Sequence, residues 1–129
     1  MVTDRLTDGV RIGQLLASEI TGNAGRLGLL DLADADPDVE PTPDGALAYR
    51  VVRAAGGDDT LVAEAYVQPD RVRIEFVAAP DAVAEAAGEA GLRVRPKAVR
   101  PPQTLVFVED GAQVKRVLTA FETALASRE

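Results

Sequence analysis

A chain of 129 residues with 21 Asp and Glu, 14 Lys and Arg, no His and no Cys has neither an imidazole nor a thiolate to serve as general base, nucleophile or soft metal ligand. Carboxylates, hydroxyls, two Lys and backbone dipoles remain, which places a non-catalytic role ahead of a catalytic one and leaves no cofactor to expect. Apolar residues make up 47% of the chain, which excludes wholesale disorder, and no apolar run approaches the roughly 20 residues of a membrane-spanning helix.

A chain of this length supports one core, so residues 1–129 read as a single domain. The opening Met1-Val2-Thr3-Asp4-Arg5 has no basic stretch leading into an apolar one, so no secretory signal is expected and a cytoplasmic location is. From Thr7 to Thr21, Val10, Gly13, Leu16, Ala17 and Ile20 fall on one helical stripe, with Leu6 ahead of it, and Gly22-Asn23 stops the helix. Residues 26 to 32 are short and almost continuously apolar and read as a buried strand, with Gly28 as a candidate bulge. Between Ala33 and Gly45, five acids and three prolines predict a loop.

Three strands follow. Leu47, Tyr49 and Val51 alternate with Ala48, Arg50 and Val52; Leu61, Ala63, Ala65 and Val67 with Val62, Glu64 and Tyr66; Val72, Ile74, Phe76 and Ala78 with Arg73, Glu75 and Val77. Turn residues at 55–59 and at Pro69-Asp70 make this an antiparallel meander. Asp81 is a candidate cap for an Ala-rich helix from Ala82 to Ala90, ended by Gly91. Leu92 to Arg95 reads as an edge strand closed by Pro96, and Thr104 to Val108 as a more central one. Asp110 with Gln113 signals the start of a last helix, whose stripe is Val114, Val117, Leu118, Phe121 and Leu125. The expected fold is α+β: a five- to six-stranded antiparallel sheet, order α-β-β-β-β-α-β-β-α, with the long terminal helices on one face.

The net charge of -7, twelve Arg against two Lys, and 4% aromatics form an acidic, Lys-poor composition. With the segments Asp4-Arg5-Leu6-Thr7-Asp8-Gly9 and Asp34-Ala35-Asp36-Pro37-Asp38-Val39-Glu40-Pro41, it resembles small uncharacterised proteins of halophilic archaea, where carboxylates stay hydrated in concentrated salt. That resemblance implies habitat and no activity. The element order is also similar to the secretion-chaperone-like fold, a dimeric module that holds a partner's segment, although one extra strand precedes the middle helix here.

Parity sets the hairpin register. A turn at Pro69-Asp70 puts Glu64 opposite Glu75 and Tyr66 opposite Arg73, and a five-residue turn from Ala55 to Asp59 puts Arg50 opposite Glu64. The outward face then shows three rows: Val52, Val62 and Val77; Arg50, Glu64 and Glu75; Ala48, Tyr66 and Arg73. A face this apolar needs a helix or a partner over it. The favoured expectation is a homodimer in which Arg50 and Glu64 exchange salt bridges; the alternative is that the last helix covers the Val row.

From Gly91 to Val108 the chain carries Arg93, Arg95, Lys97 and Arg100 and no acid, leaving -11 on the remainder. This strip is a candidate for an anion or an acidic partner, or it pairs internally with surplus acids such as those of the 34–44 loop. No aromatic lies among its basic residues, which argues against nucleic acid. Asp34-x-Asp36-x-Asp38 copies the first ligand positions of a calcium loop, but Val39 and Gly45 stand where a Gly and a Glu are required, so no metal site is expected. The enzyme alternative rests on Glu64 and Glu75, neighbours on rigid strands, with Arg50 beside them; otherwise Arg50 and Arg73 neutralise that pair structurally. Gly22-Asn23-Ala24-Gly25 has the wrong helix-to-strand order for a phosphate loop.

Overall fold

The computed structural model describes residues 7–22, 27–55 and 58–126. In chain order it contains α1 (Gly9–Gly22), β1 (Leu30–Ala33), β2 (Ala46–Ala55), β3 (Asp58–Gln68), β4 (Arg71–Phe76), α2 (Pro80–Glu89), β5 (Arg93–Lys97), β6 (Gln103–Val108) and α3 (Gly111–Ala126). The chain adopts the expected α+β order. All six strands form one sheet, β1-β2-β3-β4-β6-β5, and every neighbouring pair is antiparallel. No described helix is long and apolar enough to cross a membrane.

The carboxylate of Asp8 starts α1 by accepting the backbone N–H groups of Val10 and Arg11 at 3.0 and 3.3 Å. The face it buries is Gly9, Ile12, Gly13, Leu16 and Ile20; Val10 and Ala17 flank that stripe, and Ile12 lies within it. Gly9 permits the helix to reach the sheet. Its N–H donates to the Pro69 carbonyl at 3.1 Å, and a Cβ there would lie 1.9 Å from the Gln68 carbonyl oxygen. Only a hydrogen in place of a side chain allows the β3–β4 turn to come so close.

Helix α2 begins before its expected cap. Ala79, at φ 47°, is the N-cap and Pro80 takes the first turn, where its fixed φ and missing N–H cost nothing; Asp81 is a first-turn acid. At the other end, Leu92 N–H donates to Ala87 O and Gly91 N–H to Gly88 O, both at 3.0 Å, closing a Schellman motif with Leu92 buried beneath it. For α3, the Asp110 carboxylate accepts the Gln113 N–H at 3.0 Å, while the Gln113 side-chain oxygen accepts the Glu109 N–H at 2.7 Å. Its buried face is Val114, Val117, Ala120, Phe121 and Ala124, and Leu118 and Leu125 pack partly against the core. Phe121 meets Phe76 of β4 with ring centroids 4.8 Å apart.

Two strand boundaries move. Strand β1 starts at Leu30, because Leu30 N–H closes a turn onto Leu27 O at 3.0 Å; Gly28 lies in that turn, and Arg26 is outside the described residues. Strand β5 continues through Pro96 to Lys97, since an edge strand tolerates a residue with no N–H. Leu6, Asn23, Gly56 and Gly57 also lie outside the described residues.

Two irregularities in the β2–β3 ladder correct the expected face assignments. The register shifts between Leu47 and Tyr49, and again between Val51 and Val52. At the first, Ala48 leaves the outward face and joins the core, and Leu47 comes opposite Tyr66. At the second, Val62 becomes a core residue, 3% exposed, and Leu61 comes opposite Val52. The ladder then runs on to Ala55 and Asp58, so Ala55, Asp58 and Asp59 belong to the strands and not to the expected five-residue turn.

Candidate functional site

The face of the sheet away from the helices carries a continuous polar network. Its first row, read across the strands, is Ala33, Arg50, Glu64, Glu75, Leu105 and Arg95. Its second is Leu47, Tyr66, Arg73, Phe107 and Arg93. The expected oppositions Arg50–Glu64, Glu64–Glu75 and Tyr66–Arg73 are all present.

Glu64 and Glu75 are each held twice. The Arg50 guanidinium donates to Glu64 Oε2 at 2.9 Å and to Asp34 Oδ2 at 2.8 Å, while the Tyr66 hydroxyl donates to Glu64 Oε1 at 3.0 Å. Glu75, only 6% exposed, accepts Arg73 Nε on Oε2 and Lys97 Nζ on Oε1, both at 3.0 Å. The Arg73 guanidinium lies 4.8 Å from the Tyr66 ring centroid and also donates to the Asp44 carbonyl at 2.8 Å. Six charged side chains, three of each sign, are thus joined through one tyrosine. Hydrogen bonds to Glu64 and Asp34 raise the pKa of Arg50. Burial, then the bond to Glu64, pushes Tyr66 up to about 12.

Residues 43–45 of the acidic loop fold over one end of this face. Gly45 adopts φ +96°, and a Cβ there would meet the Tyr66 Cβ and an Arg73 guanidinium nitrogen at 3.0 Å. Glycine is needed on both counts.

The Val row is not a row. Val62 points into the core; Val52 stays on this face and is 8% exposed; Val77 follows the end of β4, half-buried, where its N–H and that of Ala78 both donate to the Val62 carbonyl. No described helix lies over this side: α3 meets both α1 and α2, and the three pack on the opposite face.

The basic strip divides. Arg93 pairs with Glu109 at 3.1 Å and shares it with Arg71 at 3.4 Å, whose guanidinium sits 4.3 Å from the Phe107 ring centroid. Lys97 belongs to Glu75. The internal partners are therefore Glu75 and Glu109 and not the 34–44 loop. Arg95 and Arg100 are exposed, with no ion-pair partner among the described residues. In the loop, Asp34 is taken by Arg50, and Asp36 Oδ1 accepts the Asp38 N–H at 2.9 Å. No three acids converge on a common point among the described residues.

Sequence reasoning missed one feature. Between α1, the sheet and residues 35–39 lies an apolar pocket of about 170 Å³, whose lining includes Leu32, Val39, Ala48 and Tyr49. Tyr49 is buried and donates its hydroxyl to the Gly13 carbonyl at 2.8 Å; burial raises its pKa. The pocket depends on the shift at Ala48 and on how the loop folds back, neither of which residue periodicity encodes.

No curated protein and no solved structure matches the chain. Residues 1–129 match the model of a family of unknown function, DUF7993, and the chain belongs to that family.

Proposed function

We propose that this chain is a non-catalytic binding protein, an adaptor, that closes on a second copy of itself through the helix-free face of its sheet. One observation carries the reading: Glu64 and Glu75, the acids that sit together on rigid strands, have all four oxygens engaged within the chain. Neither has a lone carboxylate oxygen ready to take a proton from a substrate or to hold an ion, which sets contact ahead of carboxylate catalysis or anion capture around Arg50.

Charge distribution supports a self-complementary partner. The acids of the 34–44 loop follow β1 at one side of the sheet, and Arg93 and Arg95 lie on edge strand β5 at the other. A twofold axis parallel to the strands lays one copy's β5 over the other's β1 and β3 over β4, bringing Arg95 near foreign acids and turning the half-buried Leu61 and Leu105 toward the partner. Arg50 and Glu64 pair within the chain and are not exchanged in this arrangement. A cytoplasmic setting and adaptation to concentrated salt fit this reading, and the element order is similar to that of the dimeric secretion-chaperone-like modules.

Sedimentation equilibrium across micromolar to millimolar protein, in dilute and in concentrated salt, tests the proposal. A dimer that Leu105→Asp and Leu61→Arg each convert to a folded monomer is the expected result. A monomer throughout, or a dimer indifferent to both substitutions, refutes it.

A further inference from the structure

The apolar pocket beneath residues 35–39 lies on the helix side of the sheet and takes no part in the face just described. We infer that it binds a small, uncharged, predominantly apolar molecule about the size of one ring.

Volume comes first. At about 170 Å³ the pocket exceeds the roughly 150 Å³ of an apolar cavity that stays dry and accepts benzene. Water gains little by entering, because a stable buried water needs two to four polar partners and most of the lining side chains are apolar. The hydroxyl of Tyr49, a buried lining residue, has already given its hydrogen to Gly13 O.

The space is built into the backbone. The irregularity at Leu47/Tyr49 turns Ala48 and Tyr49 toward the helices together, and a methyl stands where a regular strand would have sent no side chain. Ala17 on α1 faces it with another methyl, and Asp36 N–H donates to Ala48 O at 2.8 Å, tying the roof to the floor. Leu32, Val39 and Ala17 remain half-buried around the gap, apolar surface that an occupant would remove from water.

Charge narrows the class. No Lys or Arg lines the pocket, and its one ionised group is Asp36, so a carboxylate or phosphate would enter unpaired. Gln14, exposed beside Asp36, offers an amide for a single hydroxyl or carbonyl at the mouth. A cyclic alcohol has the right size and polarity, and hexanoate has comparable size with the wrong charge.

Titrating the full chain with cyclohexanol, by calorimetry and by thermal unfolding, tests the inference, with hexanoate as the charged control. Ala17→Leu fills the space from the helix and Ala35→Leu from the exposed roof, so one of the two remains informative if the other fails to fold. The expected result is saturable binding of one cyclohexanol per chain with a rise in melting temperature, at least tenfold weaker binding of hexanoate, and at least tenfold loss of cyclohexanol affinity in a folded filled variant. No saturable binding by the parent, equal binding of hexanoate, or full affinity in both filled variants overturns it. Oligomeric state does not enter the outcome, so failure here leaves the dimer proposal standing, and the reverse.

Discussion

Replacing Glu75 by Gln tests whether the outer-face network is a buried electrostatic structure or a set of solvated surface pairs. The carboxylate is 6% exposed and meets two cations at 3.0 Å, one on each oxygen. An amide of the same shape offers a single acceptor. Its NH2 group then confronts either Arg73 Nε–H or the Lys97 ammonium, donor against donor, and a charge of +1 is left over. Removing one partner of a fully buried pair costs about 3–5 kcal/mol. Solvent reaches Lys97, whose side chain is 40% exposed, and Arg73 retains the Asp44 carbonyl and the Tyr66 ring. The expected loss is therefore about 2 kcal/mol, near 7 °C in melting temperature for a domain of this length. Urea unfolding followed by circular dichroism reads it, with an unchanged m-value showing that both end states keep their compactness. Because the pair is shielded, most of the loss should survive in molar salt. The exposed Asp34–Arg50 pair supplies the contrast, with Asp34→Asn costing about 0.5 kcal/mol or less and its effect screened away by salt. A Glu75→Gln chain as stable as the parent, or a loss that vanishes in molar salt, would refute the network as a buried structure.

Two further outcomes follow from single contacts. Gly9→Ala drives a methyl to 1.9 Å from a backbone oxygen that cannot rotate away, so α1 must lift from the β3–β4 turn; the expected cost is about 3 kcal/mol or more, well above the about 1 kcal/mol for the capping change Asp8→Ala, and equal stability of the two variants by urea unfolding would count against the close approach. Tyr66 titrates higher in the folded chain than in the unfolded one, so the stability it contributes is intact below about pH 10 and is lost as pH rises toward about 12. Tyr66→Phe should make unfolding midpoints fall less steeply between pH 10 and 12, leaving the slope due to Tyr49, and parallel slopes for variant and parent would contradict the Tyr66–Glu64 bond.

Much of the outer face was legible from parity. Once Pro69-Asp70 is taken as a two-residue turn, Glu64 must face Glu75 and Tyr66 must face Arg73, because a strand's side chains alternate and its partner's register follows from the turn. The misplaced residues, Ala48 and Val62, are the two at which β2 and β3 depart from strict alternation. Val62 is as apolar as its neighbours and nothing local marks it; the Val77 and Ala78 N–H groups that both converge on its carbonyl belong to the end of β4. Similarly, the basic strip was visible as charge, but Glu109 as the shared partner of Arg71 and Arg93 depends on the order in which β4, β6 and β5 lie side by side.

Element order, antiparallel meander, helix caps and the shortage of reactive side chains were set by residues within a few positions of one another, since turns, caps and periodicity act over one or two turns of chain. Tertiary structure alone decided which face Ala48 and Val62 take, that Tyr66 and Lys97 occupy the second oxygens of Glu64 and Glu75, and that a pocket opens beneath the acidic loop. Those features depend on distances between strands and on the fit of a loop against a helix. Both are fixed by packing between segments remote in sequence, so no local pattern of residues carries them.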